Sequence, residues 1–342
     1  MTAFIARRLV LLPFVAIGVS LLIFSLTQFL SPAMRASLYI HDFKQLNALP
    51  DIIRKYHLDQ PAYVQFWDWL RQVAGGNLGW SETAREPVAD AIRGYFPATL
   101  ELAAFSFVFI LVIGVWLGTA SAVHKDQVLD HISRFTSISG ASLPTFVWGL
   151  LLLMVFYGHF GWFPPGRLSL NADLFVRSPQ FHAYTGLMTI DALLNRQPWI
   201  FWDALRHLAL PVATLTYYLT ADLVRITRSS MLETLRTDYV RTAQAKGLPQ
   251  RIVVDKHARR NALIPVVTLA SYLLFVNLLA GVVITETVFN WPGIGRWGVG
   301  ASQQLDIGAV TGFALLLAGL VVVGNLLSDI LYALVDPRIR LQ

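Results

Sequence analysis

The sequence predicts an all-α, polytopic membrane protein. Hydrophobic residues make up 55% of its 342 residues and charged residues only 14%, whereas a water-soluble domain has roughly 25% charged residues. Long charge-free apolar runs alternate with segments that hold most of the basic residues. A segment in lipid has to satisfy its backbone hydrogen bonds internally, and this favours a bundle of helices.

Composition and motifs exclude several other classes of protein. The chain has no cysteine, so it has no disulfide, thiol nucleophile or thiolate metal site. Neither a phosphate-binding loop nor the zinc motif His-Glu-x-x-His is present, and we expect no catalytic residue, metal site or cofactor in this chain. The net charge of +6 lies mainly in loops between apolar runs, which argues against binding of nucleic acid.

Five apolar runs reach the length of about 20 residues that a membrane-spanning helix needs. They cover residues 9–30, 102–123, 135–158, 262–285 and 307–328. A sixth run, Leu208–Ala221, has only 14 residues. Its length alone leaves open a re-entrant or interfacial segment.

Charge distribution decides the topology. Arg7 and Arg8 precede the first run, and basic residues beside a span favour the cytoplasmic side. Three spans then place residue 159 outside. If the sixth run did not cross, segment 225–262 would also lie outside, although it holds nine basic and three acidic residues. We therefore predict six spans with both termini in the cytoplasm.

The predicted segments form one membrane domain of about residues 95–334, preceded by an additional span and an external segment. Residues 51–73 of that external segment are expected to form two short helices around Pro61. The segments in chain order are a cytoplasmic N-terminus 1–8, span one 9–30, an external segment 31–97, span two 98–123, span three 134–158, an external loop 159–206, span four 207–227, a cytoplasmic loop 228–261, span five 262–286, an external loop 287–306 and span six 307–334.

The cytoplasmic loop predicts a short helix followed by a second one. Thr237 or Asp238 can cap the start of the first helix with a side-chain oxygen. Gly247 suits the left-handed conformation just past its end, and Pro249 suits the first turn of the next helix. A helix of about two turns is unstable alone in water, so we expect it to dock on another surface.

The residues at helical spacing on this short helix indicate its docking face. Tyr239, Thr242, Ala243 and the stem of Lys246 form an aromatic knob beside a small flat patch, which suits the groove of a partner protein. A basic loop attracted to anionic lipid headgroups is the other interpretation, and these residues alone leave both open.

The loop sequence resembles the coupling loop of binding-protein-dependent ABC permeases of the dipeptide/oligopeptide family. Segment Asp238–Leu248 reads Asp-Tyr-Val-Arg-Thr-Ala-Gln-Ala-Lys-Gly-Leu, and residues 257–265 read His-Ala-Arg-Arg-Asn-Ala-Leu-Ile-Pro. The general importer pattern begins with Glu-Ala-Ala, where this chain has Arg-Thr-Ala, as is usual for the family. Arg241 therefore needs its own partner on the ATPase.

The resemblance extends over nearly the whole chain. Gly76–Ser81 and Thr285–Gly295 match the family's external motifs, and the short N-terminus resembles the first of the two permeases of such systems. Segment Ser31–Met34 departs from the family's common Gly-Asp-Pro, which leaves local detail of the external segment open.

The resemblance implies a type I ABC importer fold and a non-catalytic permease subunit that moves di- or oligopeptides, or a related small polar solute, inward. The implied partners are a second homologous permease, two ABC ATPases that use ATP and Mg²⁺, an external solute-binding protein and the lipid bilayer of a bacterial or archaeal cytoplasmic membrane. The residues implied in ATPase coupling are Asp238, Tyr239, Arg241, Thr242, Ala243, Lys246 and Gly247.

The loop between spans five and six is a second candidate site. By resemblance it projects toward the docked binding protein; a membrane-interface anchor is the simpler interpretation of its tryptophan. Glu286 and Glu101 are expected at outer helix ends, within reach of water. The loop residues implied are Glu286, Phe289, Trp291, Pro292, Gly293 and Gly295.

An ion-gradient-driven secondary transporter is the alternative function. Such proteins show broken helices, inverted repeats or a charged site at membrane depth, and none of these is clear in the sequence. Asp222 and Arg225 are expected to satisfy each other on one helix face, since they lie three residues apart.

Overall fold

The computed structural model describes residues 2–36, 49–272 and 278–335. Parts of three predictions lie outside these residues: a stretch of the external segment, the middle of span five and the cytoplasmic C-terminus. The described part is almost entirely helical, and its strands β1 (Trp80–Ser81) and β2 (Glu86–Pro87) form a short antiparallel pair with Trp80 opposite Pro87.

The helices are α1 Thr2–Thr27, α2 Pro32–Ala36, α3 Leu49–Lys55, α4 Ala62–Ala74, α5 Val88–Val123, α6 Val128–Ser142, α7 Thr145–Leu152, α8 Leu170–Val176, α9 Met188–Leu194, α10 Pro198–Thr234, α11 Asp238–Ala245, α12 Gln250–Ile252, α13 Arg259–Tyr272, α14 Leu278–Val288, α15 Ile294–Gln303 and α16 Ile307–Val335. Two π-helical stretches, Leu153–His159 and Val253–Ala258, continue α7 and α12. Helices α3 and α4 are the two short helices predicted around Pro61.

Two helical segments in the described residues, Val88–Val123 and Ile307–Ser328, are long and apolar enough to cross a membrane. The pair Val128–Ser142 and Thr145–His159 meets the same criteria together but bends by 106°. The predicted span 134–158 is therefore not one straight helix. Leu143, just before Pro144, is extended (φ −106°, ψ 138°), because proline disfavours a helical conformation in the residue before it.

The remaining spans of the six-span topology stay predictions. The apolar part of α1, Pro13–Thr27, is shorter than a helix that crosses a membrane by length and composition. The apolar run of span four lies inside the 37-residue helix α10. Span five coincides with α13 and α14, which border residues that are not described.

The chain divides into two compact units, and the predicted single domain of residues 95–334 is shared between them. One unit contains Leu100–Trp291 and Gly324–Gln342. Helix α10 is central in it, and α5 approaches α10 closely at two glycines. A Cβ atom on Gly114 would lie 2.6 Å from the Leu223 side chain, and one on Gly118 would lie 2.5 Å from Thr227.

The other unit contains Thr2–Thr99 and Pro292–Val323. Its apolar cluster joins the start of α5 to α15 and the start of α16, with Trp297 stacked on Tyr95 at 5.9 Å between ring centroids. Asp306 accepts hydrogen bonds from Ser81 Oγ (2.8 Å) and from the Ala309 backbone N–H (3.0 Å). This carboxylate therefore ties the strand pair to the start of α16.

Candidate functional site

The loop predicted to be cytoplasmic forms two short helices joined by a turn after α10. Helix α11 has eight residues, which is the two-turn length predicted. Gly247 adopts φ +72° just past its end, a conformation in which a side chain is unfavourable. Pro249 precedes the first residue of α12 and does not lie in its first turn.

The predicted side-chain cap at the start of α11 is wrong. Thr237 occupies the N-cap position, but no side chain caps the helix. The Thr237 hydroxyl donates instead to the Thr234 carbonyl at 2.6 Å. Asp238, the first residue of the helix, has a side chain that is 97% exposed. The same carbonyl also accepts the Thr237 backbone N–H at 3.1 Å, so both donors of Thr237 bind the end of α10 and neither caps α11.

The inner face of α11 is fixed by an apolar cluster, and Ala243 belongs to this face. Val240 is 0% exposed and Ala243 is 5% exposed. The predicted docking face is therefore wrong at Ala243, whose methyl group faces the chain's own interior. The cluster consists of Ala122, Met231, Val240, Ala243, Val253, Val254, Ala258 and Ala262.

The outer face of α11 presents Asp238, Arg241, Thr242 and Ala245, all of which are exposed. Their spacing of three, four and seven residues places them on one side of the helix. Asp238 and Arg241 approach each other at 3.4 Å, with side chains 97% and 68% exposed. Such an exposed pair contributes little stability, so the guanidinium is open to a partner.

The other residues predicted to take part in coupling lie at the edges of this surface. Tyr239 is 44% exposed, and its hydroxyl accepts a hydrogen bond from Asn261 Nδ2 at 3.0 Å. The tyrosine is thus held by α13. Lys246 is exposed at the end of α11.

A buried ion pair supports the helices on which α11 packs. The Asp130 side chain, in the first turn of α6, is 0% exposed. Arg228 of α10 donates to its two oxygens at 2.7 and 2.8 Å, and Ser121 of α5 donates at 2.5 Å. Ser121 is adjacent to Ala122 of the cluster, and Arg228 lies one turn before Met231. Sequence analysis did not find this pair, because its members are 98 residues apart.

Most of the residues predicted to face a binding protein at the end of α14 are buried in the chain itself, while Asn290 between them is exposed. Glu286, Phe289 and Trp291 are each 0% exposed. Phe289 packs beside Gly149 of α7, where a Cβ atom would lie 3.1 Å from its ring, and the Phe289 carbonyl accepts from the Gly166 N–H at 2.8 Å. Gly293 and Gly295 are also buried, and Pro292 is half-buried. An aromatic-rich turn packs inward because apolar side chains find more contacts there.

Glu101 is buried as well, so its expected exposure to water is wrong. It is 2% exposed and accepts two hydrogen bonds from Arg167 (2.7 and 3.2 Å). It also accepts from the Thr189 N–H and hydroxyl (2.7 and 2.8 Å). The guanidinium lies 6.0 Å from the Trp291 ring. This cluster ties the external loop 159–206 to α5.

In the part of the chain with a described structure, no group of three histidines and carboxylates is arranged to hold a metal ion.

The expected pair of Asp222 and Arg225 is confirmed, with 2.6 Å between carboxylate and guanidinium.

Comparison with known proteins agrees with the resemblance of the loop motifs. Residues 96–341 match the family described as binding-protein-dependent transport system inner membrane component. The di/tripeptide transport system permease protein of Pseudomonas aeruginosa is 44% identical over 346 residues, which cover 100% of both chains.

Two other relatives come from different bacteria. A probable D,D-dipeptide transport system permease protein of Escherichia coli is 42% identical, over 95% of this chain and 94% of its own length. The oligopeptide transport system permease protein of Bacillus subtilis is 35% identical, over 99% of this chain and 100% of its own. These relatives give the ion-gradient alternative no support. The chain belongs to the family of binding-protein-dependent transport system inner membrane components, within its dipeptide and oligopeptide permeases.

Proposed function

We propose that this chain is a permease subunit of an ATP-driven ABC importer for di- or oligopeptides, and that α11 couples it to an ATPase. The observation that carries the proposal is the two-sided character of α11. Val240 and Ala243 fix one side to the rest of the chain, while Arg241 and Thr242 are exposed on the other. A partner that binds the outer side can thus move the helix and the residues packed beneath it.

The proposed assembly contains a second homologous permease, two ABC ATPases that hold ATP and Mg²⁺, and an external binding protein that delivers the solute. The names of the relatives support peptides as the solute. This chain would cross the cytoplasmic membrane six times with both termini inside, which places the basic loop 228–261 beside the ATPases. Hydrolysis takes place in the partner subunits.

Movement of α11 would pass into α10 and α5 through the apolar cluster. Met231 of α10 and Ala122 of α5 pack in the same cluster as the two inner residues of α11. The ion pair of Asp130 with Arg228 then joins α6 to α10 one turn away. Packed interiors transmit displacement because they have few voids. In this scheme Ala243 attaches the coupling helix, and Arg241 and Thr242 dock on the ATPase.

The buried loop residues Glu286, Phe289 and Trp291 would serve the external side indirectly. They shape the backbone between α14 and α15, and exposed residues elsewhere on the external segments would meet the binding protein. Pro292, Gly293 and Gly295 continue this turn into α15.

The experiment measures peptide uptake and ATPase activity in proteoliposomes that contain the complete transporter. Arg241→Glu and Thr242→Trp change only the outer side of α11. Each is expected to reduce uptake and binding-protein-stimulated ATPase by about tenfold, since loss of an interface anchor costs more than 1 kcal/mol. The matched control is Arg93→Glu, which changes an equally exposed arginine paired with an aspartate at the same spacing.

Normal uptake in both α11 variants, with the ATPases still bound, would remove the support for docking at α11. Equal loss in the Arg93→Glu control would show that the effect comes from general surface charge.

A further inference from the structure

A groove on the unit Leu100–Trp291 is lined by α5, α6 and α10. One part has a volume of about 590 Å³ and an apolar lining that includes Thr216 and Thr220. A second part of about 520 Å³ is more polar than the first, with Asp222, Arg225 and several serines in its lining. Ser137, Ala221 and Val224 line both parts. The two parts therefore form one continuous surface along α10.

Among the described residues, three hydroxyl groups of the groove lining have no protein partner, those of Ser133, Thr216 and Thr220. Thr216 and Thr220 are each 7% exposed, and among the described residues nothing hydrogen-bonds to their hydroxyl oxygens. Thr214 on the same helix is equally buried, but its hydroxyl donates to the Leu210 carbonyl at 2.9 Å. Buried polar groups in proteins almost always find a partner. Other buried side chains among the described residues, such as Thr227 on the same helix, also lack a partner; Thr216 and Thr220 differ in lining the groove, where a bound solute can reach their hydroxyl groups.

The ion pair in the polar part also argues for water in the groove. Asp222 and Arg225 lie within the predicted span 207–227, yet their side chains are 42% and 73% exposed on the outside of the chain. Charged side chains in membrane spans face a protein interior or a water-filled cavity, because lipid solvates them poorly. The pair follows the apolar run 208–221 at the predicted inner end of the span, so its exposed side chains can reach water at this end of the groove.

We propose that this groove is a wall of the solute path and that Asp222 and Arg225 bind the two termini of a zwitterionic peptide. The carboxylate takes the terminal ammonium and the guanidinium takes the terminal carboxylate, a geometry that guanidinium groups favour. An exposed pair of this kind is weak, so a passing peptide replaces it readily. The free threonine hydroxyls supply hydrogen bonds to the peptide backbone or to the water that travels with it. This inference rests on the proposed function.

The first test uses single cysteines, since the chain has none of its own. Ser137→Cys and Ala213→Cys place a thiol in the groove. Val108→Cys and Val112→Cys are the controls, because these residues of α5 are 57% and 62% exposed but do not line it. In membranes with the complete transporter, a charged thiol reagent should modify the groove cysteines severalfold faster than the controls. A transported dipeptide should slow the modification.

The second test measures dipeptide uptake by the reconstituted transporter at saturating binding protein. Asp222→Asn and Arg225→Gln are each expected to lower uptake by about tenfold, as loss of a hydrogen bond to a charged group does. Asp222→Glu, which keeps the charge, should retain most of the uptake. The controls Asp173→Asn and Arg177→Gln alter a pair with 42% and 74% exposed side chains, and they should leave uptake unchanged.

Three results would overturn the inference. Groove cysteines that are shielded in the assembled transporter would show that the second permease covers this face. Modification no faster than in the controls would show that the groove faces lipid. Normal uptake in the Asp222→Asn and Arg225→Gln variants would exclude peptide binding at the pair. A wild-type transporter without ATP-dependent dipeptide uptake would instead contradict the proposed function, whatever the labelling result.

Discussion

The buried ion pair of Asp130 and Arg228 supports the helices on which α11 packs. Arg228→Met removes the guanidinium and keeps most of the side chain's apolar length. Asp130 is then left fully buried without its two arginine hydrogen bonds. Breaking a buried pair by removing one partner costs about 3–5 kcal/mol, and we expect this loss in the free energy of unfolding.

The matched control lies one turn earlier on the same helix. Arg225→Met breaks an ion pair whose side chains are 73% and 42% exposed. Exposed pairs contribute about 0–1 kcal/mol to the free energy of unfolding. Arg225→Met should therefore lower the free energy of unfolding by no more than about 1 kcal/mol. The double variant Asp130→Leu/Arg228→Met removes both buried charges. It should be more stable than Arg228→Met alone, because no unpaired carboxylate remains in the interior.

The assay is SDS titration of the purified protein in mixed micelles, followed by circular dichroism. Equal losses for Arg228→Met and Arg225→Met would refute the argument from burial. A double variant less stable than Arg228→Met alone would refute the assignment of the loss to the uncompensated charge of Asp130.

Further predictions concern packing and the external cluster. Gly118→Ala should lower the free energy of unfolding by about 1–3 kcal/mol in the same titration, because its new methyl group would lie 2.5 Å from a side-chain carbon of α10. Gly94→Ala is the control on the same helix. No atom lies within 4 Å of its new methyl group, so the free energy of unfolding should rise by about 0.5–1 kcal/mol. Ala243→Leu should lower the free energy of unfolding by about 1–3 kcal/mol, because it overfills the apolar cluster beneath α11. Thr242→Leu, on the outer side of α11, should leave the free energy of unfolding within about 0.5 kcal/mol of the wild-type value. Glu101→Gln should make the external loop 159–206 more sensitive to limited proteolysis, measured as the cleavage rate, since it weakens the bonds to that loop; an unchanged rate would contradict this.

Features of the fold that depend on neighbouring residues were predictable from the sequence. The left-handed Gly247 and the end of α11 follow from the glycine itself, although the predicted side-chain cap at the start of the helix does not form. The short helices around Pro61 likewise follow from the local sequence. The bend at Pro144 has a local cause too, although apolarity alone predicted a continuous span there.

Features that depend on distant residues were not predictable. Helical spacing gives the relative directions of Tyr239, Thr242 and Ala243, but which side faces the interior depends on Met231 and Val253, which follow from tertiary packing. The burial of Glu101 likewise depends on Arg167, which is 66 residues away. A charged residue at the end of an apolar run looks exposed until its partner is known.

The central claim is that this permease works in an importer driven by ATP. The most direct measurement is uptake of a labelled dipeptide by proteoliposomes that contain this chain, its second permease, both ATPases and the binding protein. We predict uptake that requires ATP and Mg²⁺ on the ATPase side and persists when all ion gradients are collapsed. Uptake driven by an ion gradient in the absence of ATP would contradict the account.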